Sequence, residues 1–516
     1  MASLIYWTAM PVFLRRPRAC ILACLLLGGC AHAPSTPPQT TIALPPSDGT
    51  IDGTLPAQWW RLYREPDLDT LVSDALANNR DLRVAVANLL NARAELGETR
   101  AKRGPSTGLS AGAGYGSTLQ DQIAAASDGS DLIRTGSRFD AGTELSWELD
   151  LFGRLKSGVA AATADFAATA ADADGIRVLI AARVTGAWLR ACGIAHQTAL
   201  AQETLALAER NRDIARTLQA AGTNSPTDRL QAEARVAETA AEIPALAADR
   251  HAALTELAIL TGQPPSQIPA SAAACTRIPV LDGPLSAGDA ASLLRRRPDV
   301  RAAEQRLAAA TARIGIAVGD LYPHVSLGGG LGLSSPSASG LTSRDNAVWR
   351  VGPLLSWSFP NLSAARARIA GARAEEAAAL ARFDAAILAA LGEVDRAAQD
   401  YRTALERQAQ LQVAQKRSGR IVAMTRARRT VGAATALDML DSERADLSAR
   451  AALAQADADL AAAQVHFFAA LGGGWEEAPA VPLPAAEKSP PTSRNAATDA
   501  INNATNNATS NRAFAK

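Results

Sequence analysis

The sequence predicts an α+β membrane protein in which strands, rather than helices, cross the bilayer. Hydrophobic periodicity switches from helical to strictly alternating at two prolines, Pro105 and Pro323. The two switches belong to one pattern that occurs twice along the chain. A secretory targeting segment precedes that pattern, and no later stretch reads as long and apolar enough for a membrane helix.

Composition narrows the class. A net charge of +1 with 20% charged residues argues against a polyanionic partner, so nucleic acid is excluded. Hydrophobic residues make up 48% but aromatics only 4%. Alanine supplies the difference, which favours close helix–helix packing over a thick globular core.

The elements follow in order. Arg15, Arg16 and Arg18 precede an apolar run from Ala19 to Leu27, which ends in Leu27-Gly28-Gly29-Cys30. Residues 1–29 read as a lipoprotein signal peptide, with translation beginning at Met1 or Met10. Cys30 then carries a diacylglycerol and an N-acyl chain, and residues 30–55, rich in Pro, Thr and Ser, form a lipidated tether. The first repeat covers 56–262. After Trp59-Trp60 and a short amphipathic helix it contains a helix over 81–103, a β-hairpin over about 106–152, a helix over 154–220 and a return helix over 228–261. In the hairpin Phe139, Ala141, Thr143, Leu145, Trp147 and Leu149 alternate with Asp140, Gly142, Glu144, Ser146 and Glu148, and a long polar loop joins the strands. A proline-punctuated linker, 263–285, leads to the second repeat at 286–475. That repeat has a short helix, a helix over 299–321, a hairpin over about 324–360 and helices over 364–430 and 437–471. Residues 476–516, rich in Pro, Ala, Ser and Asn, read as a disordered tail.

The spacing between the halves is regular. Asp81 to Asp299, Pro105 to Pro323 and Gly114 to Gly332 are each 218 residues apart. After the hairpin loops the offset is 210, as between Trp147 and Trp357, Gly222 and Gly432, Asp228 and Asp438, and Gly262 and Gly472. The lost residues fall in the second hairpin loop, where length changes are tolerated.

The lengths carry a structural requirement. A helix of roughly 66 residues spans about 100 Å, and its two shorter companions laid end to end nearly match it. Four strands cannot close a barrel, and an open edge in hydrocarbon is prohibitive, so copies of the chain share one. Two copies give eight strands and a filled interior, three give twelve and room for a channel; inward Gly and Ser favour the open form.

At this point the residues resemble the outer-membrane efflux protein family of the TolC and OprM type, in its NodT-like lipoprotein subgroup. The resemblance rests on the lipobox, Asn78-Asn79-Arg80-Asp81-Leu82, Ser146-Trp147-Glu148-Leu149-Asp150-Leu151-Phe152-Gly153-Arg154, Arg296-Arg297-Pro298-Asp299, Gly352-Pro353-Leu354-Leu355-Ser356-Trp357 and Leu471-Gly472-Gly473-Gly474-Trp475. It implies a homotrimer with a shared 12-stranded outer-membrane barrel continued by a periplasmic helical barrel. The implied function is the exit duct of a tripartite pump, whose partners are a periplasmic adaptor, an inner-membrane transporter of the RND type and outer-membrane lipid. It implies no cofactor beyond the lipid on Cys30. The turns at Gly222, Thr223 and Ser225 and at Gly432, Ala433 and Thr435 then form the periplasmic tip that contacts the adaptor. Asp228, Asp438 and Asp441 become candidates for an acidic aperture, with ordinary helix N-terminal acids as the competing reading for the first two. Some family members carry a basic residue inside the second turn, where this chain has Ala434. The alternative from another class is a lipid-anchored periplasmic helical scaffold whose sheet is soluble.

Enzymatic chemistry has no support in the pattern. The five histidines are dispersed, and Cys192 with His196, one helical turn apart, are more simply packing residues than metal ligands. Gly328-Gly329-Gly330-Leu331-Gly332 has no helix after it and reads as strand rather than as a phosphate loop. Counting along the helices from the tip brings the linker carrying Cys275 towards the level of Cys192. A disulfide between them is a testable expectation in a compartment that permits one.

Overall fold

The computed structural model describes residues 36–40, 42, 56, 58–117, 119–129, 133–279, 281, 294–357 and 362–475. The signal segment, Cys30, most of the tether, the end of the linker with most of the short helix after it, the end of the second hairpin and the tail lie outside the described residues. A 3₁₀ segment, Trp59–Tyr63, is the first regular element among the described residues. It is followed by α1 (Pro66–Asn78), α2 (Arg80–Ala101), β1 (Ser106–Gly116), α3 (Leu119–Ser127), β2 (Gly136–Leu149), α4 (Arg154–Ala220) and α5 (Pro226–Leu260). After α6 (Ala270–Ala274) come α7 (Pro298–Gly319), β3 (His324–Ser335), β4 (Ala347–Ser356), α8 (Leu362–Thr430) and α9 (Ala436–Ala470).

Local chemistry sets the boundaries. Pro66 opens α1, with Asp67 and Asp69 in its first turn, where the helix dipole favours carboxylates. Asn79 ends α1 and starts α2: its side-chain oxygen accepts from the amides of Asp81 at 2.9 Å and Leu82 at 3.2 Å. Its Nδ2 donates to the Leu260 carbonyl at 3.0 Å, tying this junction to the end of α5. There Gly262 sits at φ 78°, and a Cβ on it would lie 2.6 Å from the backbone oxygen of Asn78. Only glycine allows both the left-handed turn and that approach.

Three details differ from the sequence expectations. The return strand of the first hairpin ends at Leu149 rather than at 152, because the Asp150 carboxylate turns to accept from the amides of Leu155 at 3.0 Å and Lys156 at 2.7 Å. The loop of that hairpin contains α3. Helix α4 does hold an 18-residue window apolar enough to cross a membrane, against the expectation that no such stretch follows the signal; most of it is buried against other helices, which is why it is a core element. As the continuous helix expected over 228–261 requires, Pro244 lies inside α5 without ending it.

Helix α4, with 67 residues, rises about 100 Å, and α8, with 69, about 104 Å. Helices α2 and α5 lie one beyond the other along one side of α4, and α7 and α9 along the other; α8 packs on α7 and α9. One edge of this layer is therefore α2 with α5, and the other is α8. The thickest core lies part-way up. Trp59 stacks on Phe468 with centroids 4.6 Å apart, and Tyr63, Leu68, Leu76, Trp188 and Leu257 close around them. Each such large side chain contributes about 1.5–3 kcal/mol on burial. Cys192 and Cys275 are joined as a disulfide here, with Cα atoms 5.0 Å apart. The bond commits the Cys192 sulfur, so no thiolate is available there to ligate a metal together with His196.

A second tie fastens the end of α9. The buried Arg297 guanidinium donates to the Ala470 carbonyl at 2.7 Å, to both carboxylate oxygens of Asp299 and to Glu393 at 2.6 Å. Burial pushes the Asp299 carboxyl up, but the Arg297 hydrogen bonds and charge outweigh it and hold the carboxyl below its ordinary value. Arg301 covers the Trp475 ring at 4.7 Å.

The strands form one antiparallel sheet in the order β1-β2-β3-β4. Its register places Leu109 opposite Thr143, Trp147 opposite Leu327 and Leu327 opposite Pro353. One face carries Leu109, Tyr115, Leu145, Trp147, Leu331, Trp349, Val351 and Leu355, all exposed. The other carries Asp140 bonded to Ser334 and Glu144 paired with Arg350.

Candidate functional site

Two places on the chain have the geometry of working parts: the tip turns and the joint between helices and sheet. Both tip turns are built the same way. Helix α4 ends with Gly222 at φ 76°, whose amide donates to Gln219 O at 2.9 Å, while the Thr223 amide reaches Leu218 O at 2.9 Å. Helix α8 ends with Gly432 at φ 73°, its amide donating to Arg429 O at 3.1 Å and that of Ala433 to Arg428 O at 2.8 Å. This is the Schellman arrangement, which satisfies the last carbonyls of a helix and reverses the chain.

Each turn then starts the next helix with a capping box. The Ser225 hydroxyl accepts from the Asp228 amide at 3.2 Å, and the Asp228 carboxylate accepts in return from the Ser225 amide at 2.9 Å. Thr435 and Asp438 repeat the exchange at 3.1 and 2.7 Å. The Thr435 amide and hydroxyl hold the Asp438 carboxyl below its ordinary value, and the Arg428 charge adds to this. Asp228 and Asp438 therefore have structural employment as caps. Asp441, one turn further along α9 and exposed, lies beyond the cap.

The sequence places Arg426, Arg428 and Arg429 near the second turn but does not say what they contact. Arg428 donates to the Ala433 carbonyl at 3.0 Å, a basic contact to the second turn made from the preceding helix. Above the turns, Glu443 of α9 lies between Arg210 of α4 at 3.7 Å and Arg426 of α8 at 3.8 Å. They border a charged cleft of about 740 Å³. Charges at helical spacing on three separate helices gave no local motif to find.

At the joint, the tryptophan of each return strand donates across to the end of the incoming helix: Trp147 to Arg103 O at 2.9 Å and Trp357 to Leu321 O at 3.2 Å. Phe152 stacks on Tyr322 with centroids 4.4 Å apart. Arg154 clasps both oxygens of Glu148 at 2.8 and 2.7 Å, and His324 Nδ1 lies 3.3 Å from the same carboxylate. The joint is thus a rigid coupling from a hairpin with an apolar face to helices about 100 Å long. Among the described residues, no group of three or more His, Cys, Asp or Glu is placed to hold a metal ion.

Residues 71–263 and 290–473 match the family model described as outer membrane efflux protein. The chain belongs to the outer membrane efflux protein family. OprJ, an outer membrane protein of Pseudomonas aeruginosa, is 30% identical over 468 residues, covering 89% of this chain and 95% of its own length. The pyoverdine export outer membrane protein OpmQ of the same species is 29% identical, covering 88% and 96%. The solved structure of the outer-membrane channel OprN superposes with a TM-score of 0.74 at 34% identity, covering 87% of this chain and 99% of that one.

The efflux protein is accordingly an outer-membrane exit duct of a tripartite export system, extending from the outer membrane into the periplasm. Within that frame the sheet is the membrane part, and the turns at Gly222 and Gly432 are at the far end of the long helices.

Proposed function

We propose that three copies of the chain form the duct, contributing four strands each to a 12-stranded barrel and their helices to one periplasmic tunnel. The observation that carries this is the pair of open edges. The sheet stops at β1 and β4, and the helical layer stops at α2 with α5 on one side and α8 on the other. Apolar side chains stand exposed on these helical edges, among them Val84, Leu230 and Ile259 on one and Leu388, Ile421 and Met424 on the other. In hydrocarbon an unpaired strand edge costs several kcal/mol per unsatisfied group, so closure by further copies is required. Twelve strands leave a lumen, and eight fill with side chains.

The tip turns, with Gly222, Thr223, Ser225, Gly432, Ala433 and Thr435, are the contact for a periplasmic adaptor, and an inner-membrane transporter of the RND type supplies the energy. Asp441, with Asp438 and Asp228 behind it, lines the aperture, where three-fold rings of carboxylate attract cations and repel anions. Cys30 carries the lipid anchor. Native mass measurement of the detergent-extracted protein tests the assembly. Three times the mass of one processed chain is expected; a stable single chain or a pair would reject it.

A further inference from the structure

We propose that neighbouring copies join through β4 and β1 in one defined register. Trp357 stands opposite Leu109 of the second copy, Leu355 opposite Ala111, Pro353 opposite Ala113 and Val351 opposite Tyr115. The proposal rests on the shared-barrel reading and adds to it the residue-level seam.

The register comes from the internal correspondence between the hairpins. A residue of β1 corresponds to the residue of β3 218 positions later, and a residue of β2 to the residue of β4 210 positions later. Applied to the pair Leu109 and Thr143, the two offsets give Leu327 and Pro353, which are partners in the structure. Ser106 with Ser146 gives His324 with Ser356, and Gly114 with Arg138 gives Gly332 with Val348; both are observed pairs. The tryptophan bonds at the joint obey the same rule, Trp147 to Arg103 becoming Trp357 to Leu321. The two hairpins are therefore equivalent to the residue.

The contact between hairpins, β2 with β3, must then have its equivalent where β4 of one copy meets β1 of the next. Trp147 opposite Leu327 becomes Trp357 opposite Leu109, and Leu145 opposite Gly329 becomes Leu355 opposite Ala111. The chemistry of the two edges agrees. On the apolar face this register brings together residues left bare in the single chain: Leu109 is 85% exposed, Tyr115 76%, Val351 67% and Leu355 64%. On the other face Gly116, Gly114 and Gly112 stand opposite Arg350, Gly352 and Leu354, so each large side chain meets a glycine. A slip of one residue would turn Tyr115 and Leu109 to the wrong face of the seam. A slip of two preserves the faces, so only the hairpin correspondence selects against it, and that makes it the right control.

Paired cysteines read the register. The matched variants are Tyr115→Cys with Val351→Cys and Gly114→Cys with Gly352→Cys. These pairs are adjacent, so one of them occupies a non-hydrogen-bonded site, where side chains approach most closely. The controls slipped by two are Ala113→Cys with Val351→Cys and Ser117→Cys with Val351→Cys. Cys192 and Cys275 are already bonded to each other and do not compete. Each variant is first checked for heat-modifiable trimers, then oxidised in outer-membrane vesicles and run on denaturing, non-reducing gels. At least one matched pair is expected to give covalent species of two and three chains, with the slipped pairs remaining as single chains. Preferential cross-linking of a slipped pair, or none in any pair while trimers persist, would overturn the register and leave the trimer standing. A protein that is monomeric before oxidation would overturn both.

Discussion

Asp438 is a structural residue to which the proposed aperture would give a second role. Its carboxylate closes the capping box with Thr435, and those hydrogen bonds make it more acidic folded than unfolded. The stabilisation it lends the tip turn is therefore complete above the ordinary carboxylate pKa of about 3.9 and is lost as the pH falls from there through the lower folded value. Asp441 carries no such duty, so it separates charge at the aperture from turn stability. Asp441→Ala is expected to raise single-channel conductance or weaken block by multivalent cations at neutral pH, without altering the thermal stability of the trimer. Asp438→Ala is expected to do the same and also to loosen the turn, seen as faster proteolysis there. Unchanged conductance and block in both would remove these acids from the gate. The capping boxes were legible because Ser225 to Asp228 and Thr435 to Asp438 are local patterns. The Arg297 clasp was not, because it joins the start of α7 to Glu393 of α8 and the end of α9.

At the scale of elements, the sequence was most readable where the periodicity was strong and long. The ends of α4 and α8, marked by Gly222 and Gly432, fall where the glycines place them. Helix α3 was hidden because nine residues inside a polar loop carry too little pattern, and the end of β2 was misjudged because Asp150 leaves the ladder to cap α4. The linker was placed only approximately by counting along helices, yet that sufficed to bring Cys275 to Cys192. The disulfide closes a separation of 83 residues and pins α6 and its neighbours onto α4, helped by Arg250, which donates to the Ala273 carbonyl at 2.6 Å. Loops of that order contribute about 2–4 kcal/mol to stability. Cys192→Ser with Cys275→Ser is expected to lower the temperature at which the protein unfolds by a matching amount. Reductant should do the same to the wild type and nothing to the variant; an equal response in both would show that the bond does not stabilise the packing of α6 on α4.

For the whole molecule, the controlling fact is incompleteness. One chain offers an antiparallel sheet with two bare edges and a helical layer with two bare sides, and the proposed closure by further copies would create the duct. The sequence made this visible through simple counting, since strands of membrane length and helices of about 100 Å allow few arrangements. What it could not supply was the relation between distant elements: which helices flank α4, and how β2 meets β3. Those follow from contacts separated by hundreds of residues, such as Ser334 with Asp140. The most direct test of the duct is electrical. Purified, lipidated protein reconstituted in planar bilayers is expected to insert as discrete ion-conducting steps, cation-selective, and to lose them when trimers are dissociated by heat beforehand. Intact trimers that insert without conducting, even after Asp438 and Asp441 are replaced together by alanine, would contradict it.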